Sequence, residues 1–376
     1  MAQVDVYDCA YNALQNIEWD FVNYSMDTLE SIHPYPARFI PEIPKALIKT
    51  LGCPPDQKIF DPFCGSGTTL VEAARMGYSS IGVDLNPIAC LISRVKLNPL
   101  SVDFLSRANE VVEKAKKRYN DDILIPNIPN LDHWFKKDIQ KAITAICNEI
   151  DSDDSCNDAL KMALSSIIVR VSNQESDTRY AAVDNNYVAS DVFLSFYNAC
   201  INISNAKANE NFQADTMIIE SDILKVRPSQ LGNNIGLVIT SPPYPNAYEY
   251  WLYHKYRMWW LGYDPINVRT NEIGARPHYQ KKNGQTELDF QNQMSAVFSL
   301  ISNCLVQGGH VCFVIGRSII KRKEINNAAL LIDVANNLGF KLVANIKREI
   351  ASTKKSFNLA YGKIKSENIV IFRKDF

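Results

Sequence analysis

No stretch of this 376-residue sequence approaches the ~18 consecutive apolar residues that a membrane-spanning helix requires, so no span is expected. Met1 to Ala10 has neither a basic lead nor an apolar core, so no secretory signal is read and a cytoplasmic protein is expected. The nine cysteines include no Cys-x-x-Cys pair, so reduced thiols are expected, with neither a disulfide framework nor a metal site. A G-x-x-x-x-G-K-[ST] loop is absent, which disfavours a lysine-assisted phosphate clamp, and the glycine loop that does occur is short of a full G-x-G-x-x-G.

What is present begins with size and charge. At 46% hydrophobic residues the chain can bury a large core, as one elaborated domain or two. The net charge of −1 hides an asymmetry: residues 251–376 carry 19 Lys+Arg against 9 Asp+Glu, and residues 1–250 carry 21 against 32. A basic final third on an acidic remainder suits a chain that presents one face to a polyanion.

His33-Pro-Tyr-Pro-Ala-Arg-Phe-Ile-Pro41 packs three prolines into nine residues and cannot be helix interior. Glu42 to Leu51 then has helical spacing. Ile59 to Phe63 reads as a short strand running into Cys64-Gly-Ser-Gly-Thr-Thr69, followed by a helix that ends at Gly77. Ser80-Ile-Gly-Val-Asp84 is a second strand with an acid at its tip, and Asn86-Pro87 is an N-cap followed by proline at the first helical position. Strand, glycine loop, helix, strand and acid make a βαβ unit. Glycines admit a ligand to the backbone, the helix N-terminus offers N–H donors, and the carboxylate accepts from ribose hydroxyls. Asp84 lies 17 residues beyond Gly67, close to the expected interval. The ligand this describes is a nucleoside whose other end needs little phosphate recognition.

Residues 100–212 read as mostly helical, for example Val102 to Arg118 and Asp138 to Ile150, with a turn or cap at Asp151 to Ser155 and a polar cluster at Val171 to Tyr180. Asn173 and Arg179 in that cluster are read as loop hydrogen-bonding residues, with contact to cofactor or nucleic acid as the other reading. Strands resume at Met217 to Asp222, Ile235 to Ile239, Gly309 to Ile315, Phe340 to Ile346 and Glu367 to Arg373. Asn326 to Leu338 is a helix, and Lys354-Lys355 lies in a basic loop. Alternating strands and helices imply an α/β, doubly wound, mostly parallel sheet whose ligands sit at the C-terminal strand ends. Asp61, Asp84, Asp222 and Ser241 all fall at such ends.

Ile235-Gly-Leu-Val-Ile-Thr-Ser-Pro-Pro-Tyr244 organises the rest. An apolar β-branched run is stopped by two prolines, whose carbonyls stay free to accept. With the Ser241 hydroxyl and the flat Tyr244 ring, this corner can hold a planar group by its face and accept from an amino group on its edge. A nucleobase with an exocyclic amine fits. Beyond it comes an aromatic and basic stretch from Tyr248 to Trp260, expected to be partly helix core, and then an aperiodic segment from Asn267 to Gln285 that reads as a loop. Lys255, Arg257, Arg269, Arg276, His278, Lys281 and Lys282 are the expected DNA-contacting residues.

Asp61-Pro-Phe-Cys-Gly-Ser-Gly-Thr-Thr69 together with Thr240-Ser-Pro-Pro-Tyr244 resembles the S-adenosylmethionine-dependent amino-methyltransferases of DNA, in the SPPY form associated mainly with cytosine-N4 enzymes. The resemblance covers residues ~31–90 and ~215–375 and implies a Rossmann-like class I methyltransferase sheet with a helical insertion. Residues 1–99 would form the N-terminal segment and cofactor half, 100–212 the insertion, and 213–376 the catalytic half, with the DNA-contact loop at about 245–300. By the same resemblance, Pro36, Ala37, Phe39, Asp61, Pro62, Phe63, Cys64, Gly65, Ser66, Gly67, Thr68 and Thr69 hold the methionine end of the cofactor. Asp84, Leu85 and Asn86 take its ribose, and Asp222 and Ile223 its adenine. Ser241, Pro242, Pro243 and Tyr244 are the implied catalytic residues, acting on a base flipped from double-stranded DNA.

A separately encoded restriction endonuclease is a partner class the resemblance brings with it, since no PD-(D/E)xK nuclease motif occurs in the chain. The missing Pro-Cys dipeptide sets the cytosine-C5 mechanism aside. The cofactor loop precedes the catalytic motif here, unlike in the commonest cytosine-N4 subgroup, which leaves target recognition to residues 100–212 or 245–300, the second preferred for its charge; adenine-N6 transfer on the same scaffold is the alternative. An RNA base methyltransferase and a catalytically silent DNA-binding protein are weaker readings.

Overall fold

The computed structural model describes residues 6–119, 122–150, 156–177, 179–245, 249–350 and 366–376; Tyr248, Asp151 to Ser155 and Lys354-Lys355 lie outside them. Its strands are β1 (Lys58–Asp61), β2 (Ser80–Asp84), β3 (Gln174–Ser176), β4 (Arg179–Ala182), β5 (Thr216–Glu220), β6 (Ile235–Thr240), β7 (Leu305–Gly316), β8 (Ser318–Ile320), β9 (Lys323–Ile325), β10 (Phe340–Glu349) and β11 (Ser366–Lys374). Seven of these form one sheet in the order β10-β11-β7-β6-β1-β2-β5. β5, β2, β1, β6 and β7 run parallel, while β11 is antiparallel to both β7 and β10 and lies between them. This is the doubly wound, mostly parallel sheet expected.

The strand sequences explain the layering. Every residue of β6 is buried, as a strand covered on both faces must be. Val238 faces a core with Phe60, Phe298, Phe313 and Phe372, whereas Leu237 and Ile239 face Ile59, Leu47, Ile371 and Val314 on the other side. The period-two alternation of β6 and β1 therefore feeds two separate helix-covered layers.

Helices Phe104–Arg118, Lys137–Ile150, Asn157–Ile167 and Ala189–Lys207 confirm the helical character expected between β2 and β5. They share one apolar core with helices Thr68–Arg75, Pro87–Leu97 and Tyr250–Trp260, so this region packs onto the cofactor-side helices. The polar cluster at Val171 to Tyr180 differs from its reading as irregular chain: it holds the β3–β4 hairpin, within which Arg179 pairs with Glu175. None of the described helices is long and apolar enough to cross a membrane.

The short helix Thr28–Ser31 ties the proline-rich segment to this layer. Glu30 and Lys96, both almost fully buried, pair at 3.0 Å, and Arg38 donates to the carbonyls of Glu30 and His33. Removing either buried charge alone would leave the other uncompensated, at a cost of about 3–5 kcal/mol.

Candidate active site

The C-terminal ends of β1, β2, β5 and β6 open onto one cavity of about 890 Å³, including its mouth. Its wall takes Tyr35, Ala37, Arg38 and Phe39 from the proline-rich segment, Asp61 to Ser66 with Thr68 and Thr69 from the glycine loop, and Asp84, Leu85 and Asn86 after β2. Ser221, Asp222 and Ile223 follow β5, and Ser241 and Pro243 follow β6. The four strand tips named from sequence thus meet at one rim. Pro36, Gly67, Pro242 and Tyr244 adjoin wall residues in sequence without lining the cavity.

The glycine loop is built by its own backbone. Cys64 N donates to Val83 O and Gly67 N to Cys64 O, which turns the chain from β1 into helix Thr68–Arg75. Gly67 sits at φ 82°, and a Cβ there would come within 2.7 Å of Ser93 Oγ. Ser93 Oγ in turn donates to Gly65 O at 2.9 Å. Only glycine meets both the left-handed backbone and the missing space. The loop is therefore held in a shape that leaves room for a ligand above it.

Asp61 Oδ1 accepts from Phe63 N at 3.0 Å and from Thr240 Oγ1 at 2.6 Å. Asp84 accepts from Gly65 N and Asn86 N, each at 2.8 Å, one on each carboxylate oxygen. Burial raises both acids to about 6 against these stabilising bonds. A carboxylate has about four lone-pair sites, so Asp84 keeps capacity to accept from a ligand as well. Asp222 accepts from Leu224 N at 3.0 Å, capping the short turn that presents Ile223 to the cavity.

Sequence reasoning missed the lid. Tyr250, Val268, Asn271, Glu272 and Ile273 complete the wall, and Glu272 is buried there. Its two oxygens accept from Tyr250 N at 2.9 Å and Trp251 N at 2.8 Å, capping helix Tyr250–Trp260, and burial raises its carboxyl to about 8. The segment was expected to be loop, yet helices Pro265–Asn271 and Arg276–Gln280 occupy it. Asp264 before Pro265, an N-cap and first-position proline, was the available signal. Gly274, between the two helices, lies under the Pro-Pro-Tyr corner, where a Cβ would stand 2.9 Å from Tyr244 O. Tyr35 stacks on Tyr250 at 5.9 Å and on the fully buried His254 at 5.2 Å, and burial, with Arg257 nearby, pushes that imidazole well below its ordinary range.

The expected DNA-contacting residues divide. Arg257 is not on the surface: it is 1% exposed, donates to the carbonyls of Ser165 and Tyr253, and pairs with Asp177. It lies two helical positions from Lys255, roughly 200° around the axis, so the two cannot share a face. Lys255 is half-buried over the Tyr180 and Tyr256 rings at 4.5 and 5.0 Å. Arg276 is 3.7 Å from Glu249, and His278 Nε2 is 3.1 Å from Arg269 O. Arg269, Lys281 and Lys282 are exposed.

The cavity fits a cationic nucleoside ligand. Four carboxyls line it: Asp61 and Glu272, buried, and Asp84 and Asp222, partly buried. Arg38, the only cation among the described lining residues, is engaged with backbone carbonyls. With Glu272 raised to about 8, the aspartates are the groups that would meet a ligand bringing positive charge, and S-adenosylmethionine carries a sulfonium and an ammonium.

A family model described as DNA methylase matches residues 8–94. The chain is 28% identical over 239 residues to the Type II methyltransferase M.MvaI of Kocuria varians, covering 57% of this chain and 53% of that protein. It is 27% identical over 298 residues to M.BsoBI of Geobacillus stearothermophilus, covering 66% and 56%. Over 113 residues it is 36% identical to M.MjaII of Methanocaldococcus jannaschii, covering 29% and 21%. The chain thus spans about half the length of the first two relatives and about a fifth of the third.

Proposed function

We propose that this chain, whose family match and relatives support the N6/N4 DNA methyltransferase family, moves a methyl group from S-adenosylmethionine to the N4 amino group of a cytosine flipped out of duplex DNA. The observation that carries the reading is the shared cavity: residues of the glycine loop line it together with Ser241 and Pro243 of the Ser-Pro-Pro-Tyr corner, and the two motifs are joined by the Thr240–Asp61 hydrogen bond.

The backbone of Phe63 to Gly67 and Asp61 hold the methionine end of the cofactor, with Pro36, Ala37 and Phe39 beside it. Asp84, Leu85 and Asn86 take the ribose, and Asp222 and Ile223 the adenine. When bound, the cofactor supplies an electrophilic methyl on sulfur. Tyr244 supports the face of the extruded base. An arylamine nitrogen is a weak nucleophile because its lone pair is delocalised into the ring. Ser241 Oγ and the Pro242 carbonyl accept its two hydrogens, which favours a pyramidal nitrogen with its lone pair aimed into the cavity. With the cofactor bound, a nitrogen–carbon bond would form as the sulfur–carbon bond breaks to leave a neutral thioether, and one of the two amino hydrogens would be lost as a proton to water. Positioning and electrostatics supply most of the acceleration, and no nucleophilic side chain is required.

Duplex DNA incubated with the protein and S-adenosylmethionine, then digested to nucleosides for mass spectrometry, is expected to yield 4-methylcytosine. Ser241→Ala should abolish that product while cofactor binding persists. Yield of 6-methyladenine alone would replace this reading with the adenine-N6 one. An absence of any methylated base in DNA or tRNA would remove both.

A further inference from the structure

β8 and β9 pair in the register Ser318↔Ile325, Ile319↔Glu324 and Ile320↔Lys323, which leaves a two-residue turn, Lys321-Arg322. Both turn residues sit in the left-handed region, at φ 47° and 69°. Positive φ at both positions is the type I′ form of the two-residue hairpin turn, best served by Asn-Gly or Asp-Gly because a Cβ is crowded there. Lys and Arg bring no backbone advantage to this turn. What they bring is charge and reach, and a local conformation maintained against its sterics points to a use for the side chains.

The hairpin is rigidly mounted. Ile320 and Ile325 are buried together with Tyr279 from helix Arg276–Gln280. At its base, Asn327 Nδ2 donates to Gly316 O at 2.8 Å, and Ser318 Oγ bonds Asn327 Oδ1 at 3.1 Å. Lys321 Nζ is 3.4 Å from Lys282 O, so the tip meets the Lys281-Lys282 loop. The nearby acids are already matched, Glu324 with Arg317 and Glu287 with Lys323. Lys281, Lys282, Lys321 and Arg322 are exposed and make no ion pair with any described carboxylate.

Position gives the surplus its meaning. β7 runs parallel to β6 with Phe313 opposite Thr240, so the hairpin leaves the sheet at the rim that carries Ser241. Gly274, two residues before Arg276, braces the Tyr244 carbonyl. The hairpin thus hangs on the same piece of chain as the proposed base-holding corner.

Building on the reading of this chain as a duplex-DNA enzyme, we propose that hairpin β8–β9 is a phosphate-gripping arm, with Lys321 and Arg322 joining Lys281 and Lys282 in contacting the DNA backbone beside the flipped base. Such contacts fix register and orientation without reading sequence.

The test replaces the tip with the pair its backbone favours, K321N/R322G, in the full chain. Duplex binding is followed by fluorescence anisotropy across a salt series with S-adenosylmethionine present. The variant should keep its cofactor affinity, and its melting temperature should hold or rise. Duplex affinity should fall roughly tenfold on any sequence, and the slope of log affinity against log salt should become shallower by about 2, near 0.9 per lost phosphate contact. K321Q/R322Q, which keeps side-chain length, should behave alike and is read the same way if the first variant folds poorly. Parental affinity and slope in a folded variant would overturn the arm, leaving the turn to structure or to an acidic protein. If the parent methylates DNA while the variants bind as it does, only the arm fails; if the parent neither binds nor methylates duplex DNA, the function proposed above fails and the arm with it.

Discussion

Thr240 Oγ1 donates to Asp61 Oδ1 at 2.6 Å, a bond between residues 179 positions apart. It crosses from the tip of β6 to the tip of β1, strands that lie side by side in the sheet. One partner precedes the Ser-Pro-Pro-Tyr corner and the other opens the glycine loop, so the two motifs share a rigid joint. Thr240→Val, nearly isosteric, leaves a buried carboxyl short of a donor. Stability is expected to fall by about 1–3 kcal/mol and cofactor affinity about tenfold. Thr240→Ser should restore both, as read by calorimetric titration and thermal unfolding. Parental cofactor affinity in a folded Thr240→Val protein would show that the joint does not serve binding.

Gly67 allows a sharper steric test. Ala there meets Ser93 Oγ at 2.7 Å and must also hold φ 82°. A loss of about 1–3 kcal/mol in denaturant unfolding is expected, with weakened cofactor binding. Adding Ser93→Ala should recover the crowding part and leave the backbone part. Full recovery in the double variant would show that φ carries no cost.

Glu272 predicts a pH dependence. Its carboxyl is raised, by burial first, from an ordinary 4.5 to about 8 in the folded chain. Between those values the folded protein binds more protons than the unfolded one, so this residue makes stability fall as pH rises from about 4.5 to about 8. Glu272→Gln should flatten that fall in a series of melting temperatures. An equally steep decline in the variant would assign the slope to other groups, Asp61 and Asp84 first among them.

Arg257 and the lysine pair should separate folding from DNA contact. Arg257→Ala strips donors from two buried carbonyls and a partner from Asp177, and is expected to cost roughly 2–4 kcal/mol. The salt slope of duplex binding should not move. Lys281→Ala with Lys282→Ala should do the reverse, leaving unfolding unchanged while binding becomes less salt-sensitive. A shallower slope in Arg257→Ala would return that residue to the DNA face.

The four strands that reach the cavity were legible because they are short runs of four to six residues closed by Asp, or by Ser and Pro, and those ends are what the cavity collects. The glycine loop was legible because its constraint is local: positive φ and tight packing act within a few residues. The lid was not. Glu272 looks like an ordinary surface acid until the chain folds back and places its oxygens on the Tyr250 and Trp251 amides. Arg257 misled for a related reason, since charge among aromatics describes a nucleic-acid surface and a buried ion pair equally well. Hairpin β8–β9 was hidden by its Lys-Arg turn, which replaces the Asn-Gly signal that marks such turns.

β11 comes after β10 in the chain yet lies between β10 and β7. During synthesis, β10 can therefore leave the ribosome with no strand to pair with, and the β7 and β10 edges stay raw until residues 366–374 have emerged. Unpaired edges of this length are templates for intermolecular pairing. Chaperone demand and losses to inclusion bodies should concentrate in that interval, and a premature stop before residue 366 should give an insoluble product even though the whole proposed methyl-transfer site has already been translated.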